Sequence, residues 1–336
     1  MPITIKDVAK DAGLSIATIS KYLNGLPVRA ENRTRIEASI SRLGFKVNYM
    51  ARGLRTNKTM SIGILLPLMD NAFFMSFAVH IIRALRKQGY SSLLCDNAQE
   101  DCKENDMLDF LLGKGVDAII MAPNSVQSEK ILAIQNSGTP VILFDRPLQN
   151  QTLDTIVSDN FMGAYKAANH LIEYGHKRIG LINGGITAYT PYERWRGYKK
   201  ALEEKGIPLQ EDIILMEHGY DVSSGYRRMK LMLDLDDVPT AVLVTNDLTA
   251  QGAIMAINEA NMSIPKDISL IAFDCESFGK LMKPKLTTIN QPCQEMAEHC
   301  ATLALRRING DIEGYPIMLT MPISMDIGGS VTTVRK

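Results

Sequence analysis

The chain has 336 residues, of which 46% are hydrophobic and 22% are charged. This composition is typical of a globular protein with two or three domains, and it excludes disordered, collagen-like and disulfide-stabilised proteins. The five cysteines are too dispersed for a disulfide framework, and the N-terminus shows no apolar signal segment. Apolar runs such as residues 62–68 are far shorter than the roughly 20 residues of a membrane span. We therefore expect a cytoplasmic protein that does not contact a membrane.

The formal net charge of zero hides an asymmetry along the chain. Residues 1–60 carry 11 Lys and Arg against 4 Asp and Glu, a net charge of +7. The remaining 26 basic and 33 acidic residues give residues 61–336 a net charge of −7. Charge separated in this way indicates separate partners. The basic head favours nucleic-acid binding, although a solvated basic surface would have the same composition.

The basic head is predicted to be helical. The spacing of its apolar residues predicts helices over residues 5–12, 16–23 and 30–43. Thr4 and Asp7 have the spacing of a capping box at the first helix, and Ser15 is placed to cap the second. Gly13 supplies a left-handed exit between the two helices. This is the helix-turn-helix pattern, and its alternative is an ordinary helical hairpin that serves as a cap.

The body has a different pattern from residue 61 onward. β-branched and aliphatic runs alternate with amphipathic segments, which is typical of βαβ units around parallel sheets. Strands are predicted near residues 61–67, 90–96, 118–123, 140–145, 155–158, 178–183, 213–217, 240–245 and 268–273, with further strands near 287–290 and 316–327. One compact sheet cannot hold so many strands with their helices. The sequence therefore predicts an α/β body of two doubly wound, parallel-sheet subdomains.

Motifs of catalysis are missing from the body. The Asn-Gly-Gly run at residues 183–185 is not a GxxxxGK[ST] loop, and no GxGxxG follows a predicted strand. The five histidines include no HExxH pair, and Cys293 and Cys300 have a spacing that suits packing better than metal binding. We predict a protein that is not an enzyme and has no cofactor and no metal site. An enzyme on a doubly wound fold, such as a sugar kinase or isomerase, is the alternative.

Residues 4–25, TIKDVAKDAGLSIATISKYLNG, resemble the head-piece of the LacI family, the lactose-repressor-like bacterial transcription regulators. The similarity continues through residues 50–54, 58–63, 157–160, 175–179, 245–247 and 284–289. It implies a ligand-gated, sequence-specific repressor that binds a pseudo-palindromic operator as a homodimer. The effector implied is a sugar or a sugar derivative, although an arginine in the cleft would also suit a carboxylate or a phosphate. The effector could either weaken or tighten DNA binding. A sugar-binding protein of an uptake system is the alternative, and it would leave the basic head unexplained.

The resemblance also implies a domain organisation. A helix-turn-helix head would occupy residues 1–45, and a hinge linker with a short helix near 49–54 would occupy residues 46–60. An effector-binding and dimerisation domain would follow over residues 61–336, with the fold of a periplasmic sugar-binding protein. Its N-subdomain would comprise about 61–160 and 291–321, and its C-subdomain about 161–290 and 322–336. The C-terminal residues show no leucine heptads, so a dimer is expected rather than a tetramer.

The resemblance assigns DNA-contacting roles to residues of the head and the hinge. The second helix would enter the major groove, where Ile16, Ala17 and Lys21 would read base edges. Leu54 would wedge into the minor groove from the hinge helix, with a buried core residue as its alternative role. The candidates for phosphate contacts are Thr4, Ser15, Thr18, Ser20, Arg29 and Arg33, each of which could instead cap a helix or face solvent.

The effector site is expected in the cleft between the two subdomains, at the carboxyl ends of the strands. Flat apolar faces would come from Phe73, Phe74 and Tyr220. Charged and amide groups for paired hydrogen bonds would come from Asn124, Asp145, Asp159, Arg194, Asn246 and Asp274. Two of these residues have a structural alternative, because Asp159 could cap the following helix and Phe74 could belong to the core.

Overall fold

The computed structural model describes residues 3–23, 26–45, 58–98, 100–124, 129–149, 153–217 and 219–334. The chain divides into two compact units, Met1–Thr59 and Met60–Lys336. Leu54 and the short hinge helix predicted near residues 49–54 lie outside the described residues.

The first unit contains the three predicted helices, α1 (Ile5–Ala12), α2 (Ile16–Leu23) and α3 (Ala30–Leu43). The capping box is formed, because the Thr4 backbone N–H and hydroxyl both donate to Asp7 Oδ2, at 2.8 and 2.7 Å. Gly13 adopts the left-handed conformation, with φ of 63°, and ends α1. The core of this unit includes Val8, Ile19 and Ile36, one from each helix, all of them fully buried.

The second unit contains two lobes. The N-lobe has a six-stranded sheet in which all pairings are parallel. Its strands are β1 (Ser61–Leu66), β2 (Ser91–Asp96), β3 (Ala118–Met121), β4 (Val141–Phe144), β5 (Thr155–Ser158) and β11 (Met318–Met321), in the order β11-β5-β4-β3-β1-β2. The helices that belong to this lobe are α4 (Ala72–Lys87), α5 (Asp101–Gly113), α6 (Glu129–Asn136) and α12 (Cys293–Ile308). Strands β3 and β4 are entirely buried because helices cover both faces of the sheet.

The C-lobe has a second six-stranded sheet, in the order β12-β10-β9-β8-β6-β7. Its strands are β6 (Ile179–Asn183), β7 (Ile214–Met216), β8 (Ala241–Val244), β9 (Ser269–Phe273), β10 (Thr287–Asn290) and β12 (Ser324–Asp326). Its helices are α7 (Asn160–Glu173), α8 (Tyr189–Glu204), α9 (Val222–Leu233), α10 (Asp247–Glu259) and the short α11 (Glu276–Gly279), with a 3₁₀ turn at Glu211–Ile213. Among the strands that the structure describes in this sheet, β12 alone runs antiparallel to its neighbour, β10.

The chain crosses between the lobes after β5, after β10 and after β11. The strand content predicted near residues 316–327 belongs to two short strands, β11 and β12. The structure has two strands there, one in each sheet, separated by a crossing. The predicted fold class, a helical head followed by two doubly wound parallel-sheet subdomains, is confirmed.

Candidate functional site

The outer face of α2 carries the three residues expected to read bases. Ile16 is 44% exposed, and Ala17 and Lys21 are exposed as well. Ile19 is fully buried and holds the opposite side of the helix against the head core. The three residues therefore share the solvent-exposed side of α2.

The residues expected to contact phosphate differ in their local roles. The Ser15 hydroxyl accepts from the Thr18 backbone N–H at 3.2 Å, so Ser15 caps α2 in addition to its proposed role as a phosphate contact. Arg33 pairs with Glu37 at 2.9 Å on the surface of α3, whereas Arg29 is exposed just before that helix. Thr4 belongs to the capping box already described, and the side chain of Ser20 is half-buried. Their assignment to DNA phosphates stays a prediction.

A cavity of about 60 Å³ lies between the two lobes of the second unit. It is large enough for about four water molecules. The residues that line it are Leu68, Asn71, Phe73, Phe74, Asp145, Arg146, Ala188, Thr190, Pro191, Arg194, Tyr220, Asn246, Asp274 and Gln291. Seven of the nine predicted effector residues are therefore brought together at this cavity.

Strand ends place the carboxylates of the cavity. Asp145 and Asp274 directly follow β4 and β9, and both have positive φ, 67° and 59°. A left-handed backbone is unfavourable for a non-glycine residue and is typically found at functional sites. Asn246 follows β8 after one residue, and its Oδ1 accepts from the backbone N–H groups of Leu248 and Thr249, at 3.0 and 3.3 Å. Its side chain therefore caps α10 while it lines the cavity.

Arg194 is the most constrained polar group of the cavity. It projects from α8, and its guanidinium lies 4.1 Å from the centre of the Phe273 ring. Its Nε donates to Asn160 Oδ1 at 2.8 Å, and its Nη1 donates to the Thr245 carbonyl. Its Nη2 lies 3.6 Å from Asp274 Oδ2. These contacts hold the guanidinium in one orientation before any ligand arrives.

Burial controls the protonation of two groups in the cavity. It raises the pKa of Asp274 to about 6, against the opposing effect of the Arg194 charge and the Gln291 amide. It also raises the pKa of Tyr220 to about 12, so the phenol stays neutral at physiological pH. Tyr220 packs so closely on Gly184 that a Cβ at that glycine would lie 1.8 Å from the phenol oxygen. Glycine at position 184 therefore makes room for the tyrosine.

Direct hydrogen bonds join the two lobes beside the cavity. Asn71 Nδ2 in the N-lobe donates to Asp247 Oδ1 in the C-lobe at 2.8 Å, and the Ala72 backbone N–H donates to Asp247 Oδ2 at 3.3 Å. The Thr190 hydroxyl of the C-lobe donates to the Asp145 carbonyl of the N-lobe at 3.3 Å. The lobes thus touch at the site where an effector would bind.

Sequence reasoning missed four polar residues of the cavity, Asn71, Arg146, Thr190 and Gln291. Arg146 directly follows the predicted Asp145 in the sequence, and this was the one signal that could have placed it at the cavity. In the structure it pairs with Asp145 at 3.0 Å. From the sequence, Asn71 could be predicted only as a helix cap. It has that role in the structure, where its Oδ1 accepts from the Phe73 backbone N–H at 3.0 Å.

Asp159 and Asn124 do not line the cavity. Asp159 caps α7, where its Oδ1 accepts from the Met162 backbone N–H at 2.9 Å. The Asn124 backbone N–H donates to Glu104 Oε2 at 2.7 Å. Phe74 lines the cavity and also packs edge-on against Phe144 in the N-lobe core, so it serves both of the roles considered for it. The effector roles of Asp159 and Asn124 stay predictions.

Within the described part of the chain, no group of three His, Cys, Asp or Glu side chains could hold a metal ion. Among the helices that the structure describes, none is long and apolar enough to span a bilayer.

Comparison with known proteins identifies the family. The model of the bacterial regulatory proteins of the lacI family matches residues 4–48, and the model of the periplasmic binding protein-like domain matches residues 168–331. The chain is 35% identical over 321 residues to the HTH-type transcriptional repressor PurR of Pasteurella multocida strain Pm70, covering 95% of this chain and 96% of that protein. The chain belongs to the lacI family. It is a LacI-family DNA-binding transcriptional repressor.

Solved structures of LacI-family proteins have the same fold. The lac repressor dimer bound to operator and the anti-inducer ONPF superposes with a TM-score of 0.86 at 24% identity, covering 99% of this chain and all of that chain. A LacI-family transcriptional regulator from Enterococcus faecium with bound ribose superposes with a TM-score of 0.73 at 30% identity, covering 82% of this chain and all of that one. The family and the fold class predicted from the sequence are both confirmed.

Proposed function

We propose that this LacI-family repressor binds a pseudo-palindromic operator as a homodimer and that a sugar or sugar derivative in the interlobe cavity controls its DNA affinity. The observation that carries the effector part of this proposal is the cavity itself. It combines aromatic faces with charged side chains whose orientations are already determined by hydrogen bonds. The two lobes meet there, and the cavity has room for only about four water molecules, so a sugar ring enters only when the lobes move apart.

The chemistry of the cavity suits a polyol. The Phe73 ring and the Tyr220 ring offer flat apolar faces against which the C–H face of a sugar can pack. Asp274 supplies acceptors and Arg194 supplies donors 3.6 Å from them, which matches neighbouring hydroxyl groups of one sugar ring. The Enterococcus faecium regulator with bound ribose supports a sugar as the effector class.

The exposed face of α2 is the proposed reading surface in the major groove. Lys21 donates to guanine or to a phosphate, while Ile16 and Ala17 make apolar contacts such as those with a thymine methyl. Thr4, Ser15, Thr18, Ser20, Arg29 and Arg33 position the head on phosphates, and Leu54 wedges into the minor groove. Two heads on a symmetric operator require two chains, and the lac repressor dimer bound to operator supports this arrangement. Action on operator DNA places the protein in the cytoplasm.

Selection from a pool of random duplexes tests the DNA part of the proposal. The full chain should enrich a pseudo-palindromic sequence and should bind it with two chains per duplex, measured by sedimentation. The affinity should fall steeply with salt because paired heads release many counterions. Enrichment of an asymmetric site by a single chain, or a nearly flat salt dependence, would contradict the proposal.

A further inference from the structure

A buried arginine contacts two of the segments that form the C-lobe side of the effector cavity. Arg228 belongs to α9, is only 1% exposed and does not itself line the cavity. Its Nη1 donates to the Asn183 carbonyl at 3.1 Å. Its Nη2 donates to the carbonyls of Glu217 and Gly219, at 2.9 and 3.2 Å. One guanidinium therefore holds three backbone carbonyls that belong to two separate segments of the C-lobe.

The same two segments meet where Tyr220 packs on Gly184. Gly219 directly precedes Tyr220, which lines the cavity. Asn183 directly precedes Gly184, where a Cβ would lie 1.8 Å from the phenol oxygen. Arg228 thus joins the residue before the tyrosine to the residue before the glycine on which the tyrosine packs. The distance between the two segments, and with it the position of the ring, depends on this link.

Asn183 extends the link toward Arg194. Its Nδ2 donates to the Pro191 carbonyl at 2.9 Å, and its Oδ1 accepts from the Thr245 hydroxyl at 2.7 Å. Pro191 lies in α8, the helix that carries Arg194, and the Thr245 carbonyl accepts from Arg194 Nη1. Hydrogen bonds therefore connect Arg228, through Asn183 and Thr245, to the guanidinium that lines the cavity.

An arginine is costly at a buried position unless its donors are needed. Burial lowers the pKa of Arg228, because its charge is desolvated. The Glu217 carboxylate lies 3.6 Å from Arg228 Nε, but its side chain is 49% exposed, so solvent weakens the attraction between the two charges. A guanidinium differs from an ammonium in offering a planar fork of donors with fixed directions. The contacts of Arg228 therefore indicate control of backbone geometry rather than charge pairing.

We propose that Arg228 is a positioning residue for effector binding, which holds the Tyr220 ring at the cavity wall through its hydrogen bonds to the two segments. This inference rests on the proposed function, because the ring is expected to pack on a sugar. Without Arg228, the segment before Tyr220 loses two backbone links, and the ring occupies several orientations in the ligand-free protein. A sugar then has to order the ring when it binds, which lowers its affinity.

Fluorine NMR of the full chain labelled with 3-fluorotyrosine measures the state of the ring without a ligand. The Tyr220 resonance is the one that is missing from the spectrum of Tyr220→Phe. Arg228→Met should shift and broaden this resonance, because the ring exchanges between orientations. Arg227→Met is the matched control and should leave it unchanged, since Arg227 is an exposed neighbour on α9 that pairs with the Glu217 carboxylate at 3.1 Å. An unchanged Tyr220 resonance in Arg228→Met would overturn the inference.

A conservative variant separates the fork from the charge. Arg228→Lys keeps a buried cation with donors but lacks the planar fork, so its Tyr220 resonance should lie between those of wild type and Arg228→Met. If Arg228→Met fails to fold, Arg228→Lys is compared with wild type in its place, and it should still shift the resonance. Thermal unfolding of each variant verifies that the chain is folded at the temperature of the spectra.

Calorimetric titration of the full chain shows whether the position of the ring matters for binding. The probes are ribose, glucose and galactose. For the sugar that wild type binds most tightly, Arg228→Met should lower affinity about tenfold, Arg228→Lys should lower it less, and Arg227→Met should match wild type. A shifted Tyr220 resonance with unchanged sugar affinity would overturn the inference and leave the proposed function standing. Binding of none of the three sugars by wild type would instead count against the proposed function, and the fluorine spectra would still decide whether Arg228 positions Tyr220.

Discussion

Arg194 both joins neighbouring segments of the structure and lines the proposed effector cavity. It contacts Asn160, Thr245 and Asp274, and all of these contacts lie beside the cavity. Because its orientation is determined without a ligand, it loses little side-chain entropy when a sugar binds. It is therefore the side chain whose loss should most affect the effector.

Replacement of Arg194 by alanine should abolish the sugar response. We expect sugar affinity to fall at least about 100-fold, since both the donor fork and the partner of the buried Asp274 are lost. DNA binding without sugar should be retained, because Arg194 lies in the second unit and not in the head. Calorimetry and a DNA titration measure the two effects. Arg196→Ala is the control, as Arg196 lies on the same helix and pairs with Glu193 on the surface. Unchanged sugar affinity in Arg194→Ala would remove this residue from the site.

Asp274 should make sugar binding depend on pH. Burial raises its pKa to about 6, so the carboxylate acceptor is present above that pH and is lost as the pH falls. Sugar affinity should drop about tenfold between pH 7 and pH 5. The effect of pH on folding has the opposite direction. Because the pKa of Asp274 is raised in the folded protein, the free energy of unfolding of the ligand-free protein falls as the pH rises from about 4 to 6. Calorimetric titrations of wild type and Asp274→Asn with sugar at each pH measure the change in affinity. The variant should bind sugar weakly, and its affinity should not show this pH dependence. The same pH dependence in Asp274→Asn would assign the titration to another group.

At the scale of single residues, the resemblance to the LacI family predicted most of the residues that line the cavity. Asp145, Asn246 and Asp274 lie at the carboxyl ends of β4, β8 and β9, where doubly wound folds bind ligands. Asn71 and Thr190 could not be predicted in the same way. They line the cavity because the two lobes approach each other there, and this approach depends on packing between distant segments.

Among the elements, α9 and α10 pack at very short range. Gly225 lies in α9, and a Cβ at this position would come within 2.1 Å of the Thr249 carbonyl oxygen in α10. The Thr249 backbone cannot move aside as a flexible side chain can. Glycine is therefore required for the helices to touch.

Gly225→Ala should destabilise the second unit. The forced separation of the two helices should cost about 1–3 kcal/mol of the free energy of unfolding, as overpacking does in other cores. Gly113→Ala is the control, because Gly113 ends α5 and a Cβ there would meet nothing within 4 Å. That change should stay within about 0.5 kcal/mol of wild type. Thermal and urea unfolding measure both, and equal stability of the two variants would contradict the close packing.

The hinge is the element expected to distinguish operator from other DNA. Leu54→Ala should weaken binding to a selected palindrome by about tenfold or more, because the wedge that kinks the central step is removed. Binding to random duplexes should change little, since it depends on phosphate contacts. Parallel anisotropy titrations on both duplexes measure the difference. Equal losses on both would mean that Leu54 does not act as a wedge.

The elements differ in how well the sequence predicts them. The head helices begin and end where expected because local signals, such as the Thr4 capping box and the Gly13 exit, determine their ends. The local pattern near residues 316–327 predicts strand structure but does not say which strands pair with it. The division of this region into β11 and β12 is determined by pairing with β5 and β10, which lie far away in the sequence.

At the scale of the whole molecule, the charge asymmetry corresponds to two separate proposed tasks, DNA binding and effector binding. The basic head exposes the face of α2 that is proposed to read bases, and the acidic body contains the cavity between its lobes. Hydrogen bonds such as that between Asn71 and Asp247 join the lobes beside this cavity. A ligand that changes the spacing of the lobes shifts the population of the DNA-binding state only as far as its affinities for the two states differ.

The central claim is that a sugar in the interlobe cavity changes the affinity of the head for operator DNA. Its most direct test is an anisotropy titration of the full chain on a selected palindrome, with and without a saturating sugar that calorimetry has identified. We expect the sugar to change the apparent Kd by about 5- to 150-fold, the usual range of allosteric coupling, and we expect Arg194→Ala to abolish this change. An operator Kd that is the same with and without bound sugar would contradict it.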